Sequence, residues 1–217
     1  MARYAAKQGV KRRATMTEEK LANPAVLGLT CFGLTTILLN LHNAGIFKQD
    51  ATILAMGIFL GGLAQIVAGV MEFKKGNTFG TTAFIAYGSF WLTLVFFIVA
   101  RPFIGERLGL EASNRGLAWY LFLWGVFTAF MFIGTFKVNR VLQAVFATLI
   151  LLFFLLAISF GWGNSDLLKV AGVIGIVCGS LAEYLAMAEL LNEMYGRTVF
   201  PIWPVGEREG YKRPEDL

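Results

Sequence analysis

The chain has 217 residues, of which 57% are hydrophobic and only 15% charged, with a net charge of +5. A mean hydropathy of +0.64 excludes a soluble domain, which needs a larger charged fraction to cover its surface. In so apolar a chain the basic balance marks contact with lipid headgroups, not with nucleic acid.

Residues 1–22 form a basic, polar tail centred on Lys11-Arg12-Arg13. No apolar core or small-residue cleavage site follows, so the tail is not a signal peptide. It is read as a cytoplasmic segment resting on anionic headgroups, with a partner-docking segment as the alternative. Six apolar runs come next, at roughly 24–47, 51–71, 79–100, 116–136, 141–163 and 169–191, each long enough for a transmembrane helix. They lack the period-two alternation of barrel strands. These runs predict an all-α membrane protein with one six-helix domain at 23–200. A short tail at 201–217 carries Pro201, Pro204 and Pro214, with Trp203 placed at the interface, where tryptophan is enriched. Most lysines and arginines fall on the two tails and the turns holding Lys74, Lys75, Lys137 and Arg140. The opposite side keeps Lys48, Lys169 and the arginines of 101–115. That asymmetry predicts cytoplasmic termini and a multi-pass protein of the cell membrane.

Helix 1 has a clean start. Asn23 suits an N-cap, and Pro24 suits the first helical position, where its missing N–H costs nothing. Asn-Pro-Ala also occurs in water channels, but those need two copies at the midplane, and this chain has one at a membrane edge. Cys31 and Cys178 lie within apolar runs and are read as packing residues. His42 has no cluster of ligating side chains around it, so no metal, cofactor or metalloenzyme is implied. Gly57 and Gly61, like Gly175 and Gly179, are spaced for close helix approach, either within one chain or between copies. Tyr87, Phe90, Trp91, Phe96 and Phe97 make helix 3 the densest in aromatics, which alone reads as packing. Glu183 stands out as a charge well inside a span, either facing a pathway or held at a subunit interface.

Four motifs now carry a resemblance. Asn23-Pro24-Ala25-Val26-Leu27-Gly28-Leu29, Leu39-Asn40-Leu41-His42-Asn43, Lys74-Lys75-Gly76-Asn77-Thr78-Phe79-Gly80 and Tyr87-Gly88-Ser89-Phe90-Trp91 resemble the acetate uptake transporter family, the bacterial succinate–acetate permeases most closely. The likeness continues through Leu123-Trp124-Gly125-Val126-Phe127-Thr128 and Leu191-Asn192-Glu193. In the signature marked by Asn23, Pro24 and Gly28, the family usually has proline where this chain has Val26, and a smaller residue in place of Cys31. The resemblance implies a six-helix protomer, a homohexamer, and a pathway in each protomer for acetate, related monocarboxylates and in some members succinate. It also implies a hydrophobic constriction of Phe32, Tyr87 and Leu149, with Ala182 joining Leu149 in selecting substrate size.

Helix geometry agrees with that constriction. The three residues each lie eight positions after the helix starts read at 24, 79 and 141. At about 1.5 Å per residue they share one level, about 12 Å into a core about 30 Å thick. An apolar ring resists inorganic ions through their desolvation cost. A small carboxylate is expected to pass with help from a tyrosine hydroxyl or a proton. Thr35, Gln65 and Thr148 are candidates to replace part of its water shell, or else to bond their own helix backbone. The competing class is a non-conducting sensory or structural membrane protein on the same fold. No nucleophile set or phosphate loop supports an enzyme.

Overall fold

In the computed structural model, which describes residues 21–100 and 113–205, six helices are long and apolar enough to cross a membrane. Most of the basic N-terminal tail, the segment 101–112 and the end of the C-terminal tail lie outside the described residues.

Helix α1 (Pro24–Asn43) begins as its sequence dictates, with the Asn23 side chain accepting from the Ala25 N–H at 3.3 Å. It stops four residues short of the apolar run. Gly45 takes a left-handed conformation (φ +83°), which ends a helix, and His42 Nδ1 pairs with the Phe47 carbonyl at 3.1 Å. Asp50 caps α2 (Ala51–Lys74) by accepting from the Thr52 N–H at 2.9 Å. The Thr52 hydroxyl and N–H together hold the exposed Asp50 carboxyl below its usual range. The middle of α2, Met56–Ala64, is π-helical. Its Gly57, Gly61 and Gly62 leave no room for a Cβ against Val95, Trp91 and Leu92 of the next helix. Beyond that stretch the inward face is Gln65, Ala68, Gly69 and Glu72.

Helix α3 (Thr78–Ala100) starts after Asn77, whose side chain accepts from the Gly80 N–H at 3.0 Å. Ser113 and Asn139 cap α4 (Asn114–Thr135) and α5 (Arg140–Trp162) in the same way. Helix α6 (Ser165–Tyr195) is longer than the run at 169–191, because Asn164 caps it early and Gly196 ends it late. Asp166 and Lys169 sit in its first turns as an exposed pair at 3.2 Å.

The helices pair as α2 on α3, α1 on α2, α1 on α6, α6 on α5 and α5 on α4. The α1–α6 seam is the closest. Gly33 and Gly179 face each other there, and Gly175 lies against the Asn40 side chain. Both glycine pairs singled out in the sequence therefore serve packing within the chain. Helices α3 and α4 meet through rings instead of backbone. Phe90 stacks on Tyr120 at 5.6 Å, and the Tyr120 hydroxyl donates to the Phe90 carbonyl at 3.1 Å. Cys31 and Cys178 are buried free thiols, consistent with packing. Past α6 the chain turns back. Arg140 N donates to the Trp203 carbonyl at 3.0 Å and Val205 N to the Val138 carbonyl at 3.1 Å. Trp203 itself remains exposed.

Candidate functional site

Helices α1, α3 and α5 all begin at the same end of the bundle, and each begins at an asparagine. Asn23, Asn77 and Asn139 line one cavity of about 470 Å³. The positive ends of three helix dipoles thus converge on its mouth, where backbone N–H groups favour an anion. Lys75 and Lys137 add cationic side chains to the same wall, and Glu189 adds an acid. Asn23 ties the mouth together. Its Nδ2 donates to Glu189 Oε2 at 2.8 Å, and its Oδ1 accepts from Lys75 Nζ at 3.1 Å.

Inward from the mouth the wall becomes apolar. The deepest lining residues on α1, α3 and α5 are Phe32, Tyr87 and Leu149, all nearly fully buried. The Phe32 and Tyr87 rings stand 5.9 Å apart, and Tyr87 also meets Phe146 at 6.2 Å. The geometry corrects one expectation about Tyr87. Thr128 Oγ1 spends its proton on the Trp124 carbonyl at 2.7 Å, so in the 2.9 Å contact with Tyr87 the tyrosine is the donor. Its O–H is therefore engaged behind the wall, and the ring presents carbon to the cavity.

The polar candidates separate. Gln65 lines the cavity and its Oε1 makes no hydrogen bond within the protein. The Thr35 hydroxyl donates to the Cys31 carbonyl at 2.8 Å, and Thr148 donates to the carbonyls of Ala144 and Val145. Both are off the cavity wall, so they bond their own helices. Glu183 is also off the wall. It sits half-buried on the α1–α6 seam beside Gly33, and its Oε2 makes no hydrogen bond. Ala182 is fully buried one turn beyond Leu185, the deepest α6 residue on the wall. Gly28 serves the approach of α1 to α3, since a Cβ there would lie 2.6 Å from the Phe84 ring.

Glu72, Asn77 and Asn139 of the cavity wall are not among the site candidates that the sequence offers. Glu72 is an acid in the last turn of α2, whereas Glu183 lies well inside α6. The Glu72 side chain is 0% exposed, Asn77 Nδ2 donates to its Oε2 at 2.7 Å, and its Oε1 makes no hydrogen bond. Asn139 Nδ2 is likewise without a partner. Among the described residues, six buried side-chain polar atoms are unpartnered, and those of Gln65, Glu72 and Asn139 belong to this one wall. Buried polar groups normally find partners. The signal for Glu72 was its spacing: Gln65, Ala68, Gly69 and Glu72 share one helix face.

The chain is similar to known proteins. Residues 7–206 match the model of the GPR1/FUN34/yaaH family. The succinate-acetate/proton symporter SatP of Escherichia coli (strain K12) is 60% identical over 187 residues, covering 86% of this chain and 98% of that protein. An uncharacterized protein of Methanothermobacter thermautotrophicus is 47% identical over 199 residues, covering 89% of this chain and 97% of its own. Among solved structures, that of the bacterial acetate channel SatP superposes with a TM-score of 0.79 at 60% identity, covering 84% of this chain and 99% of that one.

Proposed function

The chain belongs to the GPR1/FUN34/yaaH family, and on that premise we propose that it carries acetate and related short carboxylates, succinate included, across the membrane. It is a multi-pass membrane protein acting as a transport protein, not an enzyme. The route runs within the protomer. The Asn-capped mouth and its lysines draw in the anion, and Phe32, Tyr87 and Leu149 form the neck that sheds its water. Gln65 and Asn139 supply polar contacts on the way to the neck. The distribution of lysine and arginine supports a cell-membrane protein with cytoplasmic termini, so the mouth opens to the cytoplasm. A homohexamer is the assembly that the family resemblance favours.

The observation that carries this reading is the single cavity joining three helix N-termini to that apolar neck. One similar protein is named a proton symporter and the similar structure a channel, so the test must separate the two modes. Labelled acetate uptake into proteoliposomes is measured with and without an imposed pH gradient, each against protein-free vesicles. We expect uptake above the vesicle background. Accumulation that needs the gradient identifies symport, and gradient-independent equilibration identifies a channel. Uptake equal to the background overturns the transport reading and favours a non-conducting role.

A further inference from the structure

We propose that Glu72 is the proton-binding group of this cavity, sharing one proton with the carboxylate of the guest. The inference rests on the transport reading above and adds to it the group that couples the anion to a proton. Glu72 is a lining residue of the cavity, and its side chain is fully buried. One carboxyl oxygen is clamped by Asn77, and the other makes no hydrogen bond. Among the described residues no lysine or arginine forms an ion pair with it. The clamp has a made-to-fit neighbour in Gly80, where a Cβ would lie 2.6 Å from Asn77 Nδ2 and 3.0 Å from Glu72 Cγ. Space at Gly80 is therefore kept for the acid and its amide partner.

The charged and titratable groups facing it come from every side of the cavity. Lys75 follows α2 and donates to Asn23; Lys137 comes from the α4–α5 turn, and Glu189 of α6 accepts from Asn23. Tyr87 of α3 is committed to Thr128. The lysines and helix N-termini attract an anion to a wall that already holds a carboxyl. Two carboxylates at hydrogen-bond distance in a low dielectric repel strongly, and the pair is stable when one proton lies between them. One O–H bond forms at Glu72 as one is given up by hydronium or a buffer acid in the aqueous phase. The neutral carboxyl then donates to the guest through Oε1, and the pair carries the charge of the guest alone. When the guest leaves, the proton can leave with it.

The test is proton-linked binding. The full chain in detergent is titrated calorimetrically with sodium acetate and sodium succinate, at one pH, in buffers of different ionisation enthalpy. We expect the wild type to take up close to one proton per ligand bound. Glu72→Gln keeps the shape and a donor but cannot titrate, so it should bind with proton uptake near zero. Glu72→Asp should restore most of the uptake. Equal proton uptake in wild type and Glu72→Gln overturns the proposal while leaving the transport reading standing. A wild type that binds neither acid removes both. Should Glu72→Gln fail to fold, infrared difference spectra of the wild type decide the matter. Acetate must raise a protonated-carboxyl band that Glu72→Asp displaces, and a spectrum without such a band overturns the proposal.

Discussion

At the level of single residues, the cavity sorts side chains by what their hydrogens already do. Thr35 and Thr148 looked able to solvate a guest, yet each hydroxyl is bonded one turn back along its own helix, the common fate of such residues in apolar helices. Gln65, Glu72 and Asn139 hold unsatisfied atoms on the wall because no helix carbonyl or N–H reaches them. The proposed neck of Phe32, Tyr87 and Leu149 is the opposite case, with apolar side chains and ring carbon turned to the cavity. Leu149 is 3% exposed and lines its deep end, so truncation widens the passage at its apolar limit. We expect Leu149→Ala to raise the succinate-to-acetate uptake ratio several-fold while acetate still passes. The stability cost should sit near the low end of the about 2–5 kcal/mol for Leu→Ala, since one side of Leu149 already faces a cavity. Uptake of both labelled acids in parallel checks this, and an unchanged ratio in folded protein would remove Leu149 from the neck.

Among the elements, the helix starts decide the site and the sequence declares them. Phe32, Tyr87 and Leu149 are found on one wall because Asn23, Asn77 and Asn139 cap their helices at one level, so counting from each cap reaches one depth. Helix ends were less legible. Hydropathy carried α1 through Ile46 and Phe47, although Gly45 had already turned the chain. It also cut α2 at Met71, because Glu72 reads as a loop residue unless the helical face it shares with Gln65 is followed. That cut hid the acid. It stayed hidden because burial of a charge depends on Asn77 and Gly80, which only the tertiary structure brings to it. The entrance of α1 offers a direct check. Val26 is the third helical residue, and its N–H belongs to the first turn, where no intrahelical acceptor exists. Proline fits there without losing a bond. Val26→Pro should melt in detergent within about 0.5 kcal/mol of wild type and transport acetate normally; a larger loss would mean that α1 is continued backwards beyond Asn23.

For the whole molecule, the bundle leaves one acid that its own interior does not use. Glu183 sits half-buried where α1 and α6 cross most closely, beside Gly33 and Gly179. The flanking surface is apolar, with Leu34 and Val177 exposed. A carboxyl within a membrane span is costly. Its Oε2 is buried against Gly33, and another copy that covers the half-exposed remainder of the side chain lowers the cost. A neighbouring copy in the hexamer proposed above would be such a cover; the cavity is not, because Glu183 is absent from its wall. Its two roles then differ in a measurable way. Glu183→Gln should leave acetate uptake and its pH dependence unchanged. It should shift the detergent concentration at which the oligomer dissociates, read by light scattering on the eluting particle. The opposite pattern, an intact oligomer with an altered pH profile, would return Glu183 to the pathway and take the interface role from it.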